Sequence, residues 1–114
     1  MKYFKLEEFA CPCCGKVNAV SPIVMNKIDK IRDQLGIPLH INSGYRCVKH
    51  NAEVGGKQAS LHLFGKAIDV STANMTAEKR LQLLKLVHTE FNGIGVAKSF
   101  FHMDIRDTPA MWVY

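Results

Sequence analysis

A chain of 114 residues, 47% of them hydrophobic, has the length of one domain and the apolar content for one core. A domain of that size buries roughly two-thirds of its unfolded surface, which makes disulfide staples unnecessary. No run approaches the ~20 apolar residues of a membrane span, and the charges scattered through Met1–Glu8 leave no apolar core for a secretory signal, so synthesis in the cytoplasm is expected. The formal net charge of +5 favours polyanionic surroundings, but without a run of five Lys or Arg it argues against a dedicated nucleic-acid arm.

Along the chain, three of the four cysteines bunch first, as Cys11-Pro12-Cys13-Cys14, and Cys47 stands alone. A reducing compartment disfavours a disulfide framework. Thiols in the core or in a loop are the main reading. A second, structural zinc on Cys11, Cys13, Cys14 and Cys47 is the minor one, because Cys-x-Cys-Cys departs from the usual spacing within a ligand pair. Ser21-Pro22 then starts a helix, with serine as N-cap and proline in the first turn. Val24, Ile28, Ile31 and Leu35 recur at helical spacing, and Gly36 with Pro38 ends the segment.

Leu39–Asn42 reads as a short strand, and Gly44–Gly65 as a long loop without periodicity, a type that is usually functional or disordered. Lys66–Val70 reads as a strand. Thr76 caps a second helix with Glu78 in its first turn, and Leu81, Leu84, Val87, His88 and Phe91 are its expected buried stripe. Ile94–Val96 and Ser99–Ile105 read as a hairpin, and the chain closes on Met111-Trp112-Val113-Tyr114. The pattern is α+β: helices on one face of a small, largely antiparallel sheet, with a zinc site in a cleft on that sheet.

His62, Asp69 and His102 are a suitable donor set for a catalytic zinc, which takes three protein ligands and keeps one position open. The seven-residue separation of His62 and Asp69, with Gly65 and Ala67 between, suits a turn feeding a strand rather than a helical ligand pair. Strand pairing would set His102 opposite Asp69. Alternation places Phe100, His102 and Asp104 on one face, and Phe101 and Met103 on the other. Asp104 has two roles open to it: general base, or partner that orients His102.

Ser43-Gly44-Tyr45-Arg46-Cys47, His50-Asn51, Val54-Gly55-Gly56, Ser60-x-His62-x-x-Gly65-x-Ala67-x-Asp69 and His102-x-Asp104 together resemble the M15 family of zinc D-Ala-D-Ala peptidases. That group includes bacterial carboxypeptidases and phage endolysins that cut peptidoglycan peptides. The resemblance runs from about Phe9 to Trp112-x-Tyr114. It implies a single zinc peptidase domain over residues 1–114, with one catalytic zinc on His62, Asp69 and His102. It also implies that Arg46 and Ser60 hold a substrate carboxylate or carbonyl at the catalytic centre. A guanidinium fork suits that task as lysine does not; a structural salt bridge is the alternative for Arg46.

Tyr45, Trp112 and Tyr114 are candidates for an aromatic wall of the substrate cleft, with core packing expected for at least one of them. His50 and Asn51 are expected to hold the long loop in shape, and His40 and His88 to be structural. One departure stands out. Many relatives carry a glutamate or histidine as base three residues before the last zinc ligand, where this chain has Ser99. Asp104 is then the nearest substitute.

The leading expectation is a zinc metallopeptidase of peptidoglycan stem peptides, either a D-Ala-D-Ala carboxypeptidase or a murein endopeptidase. Such a protein would act as a monomer on the bacterial wall, and a phage or prophage enzyme would reach it through a partner holin pore. Positive charge would help it dwell there. Ser99 motivates an alternative, a zinc-bearing wall-binding module without turnover. A nucleic-acid-binding zinc protein rests only on charge and the cysteines, and is disfavoured.

Overall fold

The computed structural model describes residues 1–16, 19–57 and 60–114. Five strands form one sheet in the order β1-β2-β4-β3-β5, where β1 is Ile41–Ser43, β2 Ala67–Ser71, β3 Gly93–Val96, β4 Phe100–Asp104 and β5 Ala110–Val113. Neighbours are antiparallel except β3 and β5, which run parallel. A short link reverses the chain after β4, as in a hairpin, but β2 and β3 already flank β4. The last strand therefore docks on the outer edge of β3. The sheet is thus α+β in setting and mostly antiparallel, as the sequence leads one to expect.

Helix α1, Pro22–Leu35, forms as its sequence dictates. Ser21 Oγ accepts from the Ile23 N–H at 3.2 Å, and Gly36 ends the helix at φ 78°. Its Val24, Ile28, Ile31 and Leu35 are all buried. Helix α3, Ala77–Glu90, is capped by Thr76, whose Oγ1 accepts from Lys79 N–H. Its buried stripe differs from the expected one. Leu83, Val87 and the following Phe91 are inside, Leu84 is partly so, Leu81 is 54% exposed and His88 is exposed. The face is set by which side meets α1, and an i, i+4 row through Leu83 and Val87 takes that place.

Between β1 and β2 the expected structureless loop contains helix α2, Val48–Glu53, and a 3₁₀ turn, Leu61–Phe64. Both are too short to show periodicity. The first strand also begins two residues later than expected, at Ile41.

Alternation gives the sheet two different faces. Ile68, Val70, Ile94, Phe101 and Met103 belong to the core with α1 and α3. Burying each such side chain contributes about 1.5–3 kcal/mol. Ala67 pairs with Asp104, Asp69 with His102, Gly93 with Asp104 and Gly95 with His102, which gathers the polar residues on the opposite face. Hydrophobic patterning of the strands thereby decides where the polar cluster stands.

Candidate metal centre and substrate cleft

Asp69 on β2 and His102 on β4 are direct cross-strand partners. His62 comes from the 3₁₀ turn, where Ser60 acts as N-cap: its Oγ accepts from His62 N–H at 3.3 Å. Gly65 ends that turn at φ 68°, and a Cβ there would stand 1.8 Å from the Ala19 carbonyl oxygen. A glycine is therefore required twice over, for conformation and for space.

The three donors converge. One ligand atom from each of His62, Asp69 and His102 lies within 4.8 Å of the others, and all three residues are buried. His62 Nδ1 donates to the Gly44 carbonyl at 2.8 Å, leaving Nε2 aimed at Asp69 Oδ1, 3.2 Å away. His102 Nε2 donates to Asp104 Oδ2 at 2.7 Å, leaving Nδ1 aimed at the same Asp69 oxygen, 3.0 Å away. A neutral imidazole has one N–H, and each ring has committed it elsewhere. With these tautomers two nitrogen lone pairs and a carboxylate oxygen face each other in a buried space, an arrangement satisfied by a metal ion between them or by protonation of an imidazole.

The donor set fits zinc: two imidazoles and one carboxylate, with each imidazole oriented through its other nitrogen. Burial pushes the Asp69 carboxyl up, but the adjoining His102 and His62 imidazoles, when they carry the extra proton, hold it well below the usual carboxylate range. Burial pushes the His102 imidazole down, and its bonds to Asp104 and Asp69 more than offset this, so its pKa is raised.

Asp104 does not have the placement of a general base. It is completely buried and absent from the cleft lining. Its Oδ1 accepts from Arg106 N at 3.1 Å and Nε at 2.8 Å, and its Oδ2 from Arg106 Nη2 and His102 Nε2, both at 2.7 Å. Burial raises its pKa, yet the Arg106 and His102 bonds outweigh it and leave a weakly basic carboxylate. Of its two roles, the geometry favours orienting His102. Gly93 makes that possible, since a Cβ there would stand 2.0 Å from Asp104 Oδ1. Ser99 is exposed in the β3–β4 turn and does not line the cleft, so no base stands three residues before His102.

Arg46 reaches the same centre from the segment before α2. Nε donates to Ser43 Oγ at 3.0 Å, Nη1 to Asn51 Oδ1 at 3.2 Å and Nη2 to Asp69 Oδ2 at 3.2 Å. The expected alternative, a salt bridge, is thus present, and it holds Asp69 by the oxygen that does not face the histidines. Arg46 still lines the cleft, with N–H groups to spare. Buried Asn51 also donates to the Lys57 carbonyl, so it holds both the loop and Arg46. Gly56 is needed for this packing, since a Cβ would stand 2.0 Å from Asn51 Oδ1.

The cleft over these donors has a volume of about 810 Å³, within the usual range of ligand pockets, roughly 300–1,000 Å³. Ser60, Lys57, Arg106, Phe100, Trp112 and Tyr114 complete much of its wall. Trp112 lies 5.1 Å from the His102 ring, and the Arg106 guanidinium sits 4.8 Å from the Trp112 ring. Of the three candidate aromatics, Tyr45 is not part of this wall and takes the core-packing role expected for at least one of them. It packs against the core with Lys16 over its ring, because neighbouring residues Tyr45 and Arg46 point in different directions. His40 and His88 are exposed and do not line the cleft.

Asn51 and Arg106 are the partners that motif spacing undervalues. Arg106 continues the 100/102/104 alternation by one step, a signal present in the sequence. Asn51's grip on Arg46 depends on α2, which has no sequence periodicity.

A family model described as Peptidase M15 matches residues 2–104. The chain belongs to the peptidase M15 family. This peptidase M15 chain is thereby placed among hydrolases of peptide bonds, and the matched span carries all three converging donors. No curated protein was found to match it.

Proposed function

We propose that this peptidase M15 chain is a zinc-dependent hydrolase of peptide bonds in peptidoglycan stem peptides. The observation that carries the reading is the convergence of His62 Nε2, His102 Nδ1 and Asp69 Oδ1, with both imidazole protons committed outside the centre. Zinc held by those three residues would polarise a peptide carbonyl and acidify water to near neutrality.

The chain's own residues supply the rest. Arg46 and Ser60 face the cleft as the clamp for a substrate carboxylate or carbonyl: the Ser60 oxygen caps His62 N–H, and among the described residues none accepts its hydroxyl proton. Asp104 fixes the His102 ring, and Gly44 fixes that of His62. Trp112 and Tyr114 give the peptide an apolar wall. Arg46, Lys57 and Arg106 make the rim cationic, which suits an anionic stem peptide, and the net charge of +5 favours residence on an anionic wall.

Purified protein incubated with D-alanine-terminated and cross-linked muropeptides should release D-alanine or cleave cross-links, lose this activity to a chelator, and recover it with zinc. One observation supports a second reading. Among the described residues lining the cleft, the only side-chain carboxylate and imidazoles are the three converging donors. Stoichiometric zinc with binding to cell-wall sacculi and no turnover would replace hydrolysis by a zinc-bearing wall-binding module.

A further inference from the structure

A second cluster of metal-binding side chains lies outside the cleft. One sulfur from each of Cys11, Cys14 and Cys47 falls within 4.8 Å of the other two. The ligand pair within the bunched cysteines is Cys11 and Cys14, separated by two residues, which is a regular zinc spacing. Taking the run as Cys-x-Cys-Cys hides it.

The backbone is built to present these sulfurs. Pro12–Cys14 form a turn, Gly15 N–H donates to the Cys11 carbonyl at 2.7 Å, and Gly15 takes φ 70°. A Cβ at Gly15 would meet nothing within 4 Å, so the glycine is there for its left-handed backbone and not for space. Cys47 comes from the other side as N-cap of α2. Its N–H donates to Cys11 Sγ at 3.4 Å, and its own Sγ accepts from His50 N–H at 3.4 Å. The N–H aimed at the Cys11 sulfur favours its thiolate.

The Cys11 and Cys47 sulfurs are 3.6 Å apart. Tetrahedral zinc with Zn–S near 2.3 Å sets its sulfurs at about 3.8 Å, whereas a disulfide needs about 2.05 Å. A Cys11–Cys47 disulfide would also leave the convergence of Cys14 without purpose. Cys13, exposed on the same turn, lies outside this convergence and would turn inward as the fourth donor.

We propose that Cys11, Cys14 and Cys47, closed by Cys13, hold a structural zinc distinct from the metal of the cleft. It clips the N-terminal segment onto the strip that builds the active centre. The two are already in register there: Tyr45 N–H donates to the Phe9 carbonyl at 3.0 Å, and a Cβ on Gly44 would stand 2.4 Å from that oxygen. Gly44 orients His62, and Arg46 directly precedes Cys47. The clip therefore fixes the entry of both residues into the cleft.

The test is metal content on protein purified under reducing conditions without added chelator. Cys14→Ser should contain one zinc fewer per chain than the unaltered protein, and His62→Ala should retain the cysteine-bound ion. Cobalt exchanged into His62→Ala should give an intense near-ultraviolet sulfur-to-metal charge-transfer band, absent when Cys14→Ser is added. If Cys14→Ser does not fold, the same band is read on the His62→Ala protein alone, and Cys13→Ser should weaken zinc retention against a chelator. Unchanged zinc content in Cys14→Ser, no thiolate band, or a Cys11–Cys47 disulfide by mass spectrometry under those conditions would overturn the proposal. None of these readouts depends on peptidase activity, so a failure here is separable from a failure of the cleft reading.

Discussion

At the scale of single residues, the centre works by assigning each polar atom one partner. Asp69 shows this most clearly: Oδ2 takes the Arg46 guanidinium, and Oδ1 faces both imidazoles. Asp104 plays the corresponding part for His102, and its carboxylate charge is what strengthens that histidine as a donor. Asp104→Asn keeps the shape and removes the charge. It should weaken zinc retention by roughly 10- to 100-fold, measured by chelator competition with the fold checked by circular dichroism. A general base would instead lose catalysis with zinc affinity unchanged, so the two roles separate in one variant. Arg46→Lys tests the other fork. Lysine cannot span Ser43, Asn51 and Asp69 together. Misplacement of a clamp by about 1 Å costs on the order of 10²-fold, so kcat/KM should fall by about that factor while zinc stoichiometry is kept. Loss of zinc with an unchanged KM would assign Arg46 to the metal centre alone.

At the scale of elements, capping residues and strand alternation were legible where they act locally. Ser21-Pro22, Gly36 and Thr76 each stand where the residue chemistry puts them, and the β4 alternation set His102 and Asp104 toward one face. The face of α3 was not legible, since leucines at 81, 83 and 84 offer alternative stripes and only contact with α1 chooses between them. The choice is measurable by urea unfolding. Leu83→Ala should cost about 2–5 kcal/mol, whereas Leu81→Ala should stay within about 0.5 kcal/mol. Helix α2 escaped notice because it is six residues long, and with it went the link from Asn51 to Arg46. Glycines reveal a different kind of element-level constraint. Gly93 on β3 exists for a side chain on β4, so Gly93→Ala should push the Asp104 carboxylate away from His102 and reproduce much of the Asp104→Asn defect in zinc retention. Retention equal to that of the unaltered chain would remove Gly93 from the centre's support.

At the scale of the molecule, the centre is assembled from three separated stretches: Gly44–Arg46, Ser60–Asp69 and His102–Arg106. Residue types and order identified the donors, but the commitment of each imidazole proton depends on partners that only the folded chain supplies. The unfolded chain holds these stretches apart, so an ion bound to all three reads out the whole fold. A ligand that binds only the folded state stabilises it by about 2.7 kcal/mol at 100 times its Kd. For a domain of this size that corresponds to a Tm rise of roughly 10 °C. Zinc added to metal-free protein should produce a rise of that order from the cleft, on top of any contribution from the cysteines. His102→Ala removes one donor and leaves Cys11, Cys14 and Cys47 in place, so it should lose the cleft's share and retain the rest. The comparison is made by calorimetry at matched free zinc. A His102→Ala chain that gains as much from zinc as the unaltered chain would show that the ion's stabilising site is not the cleft.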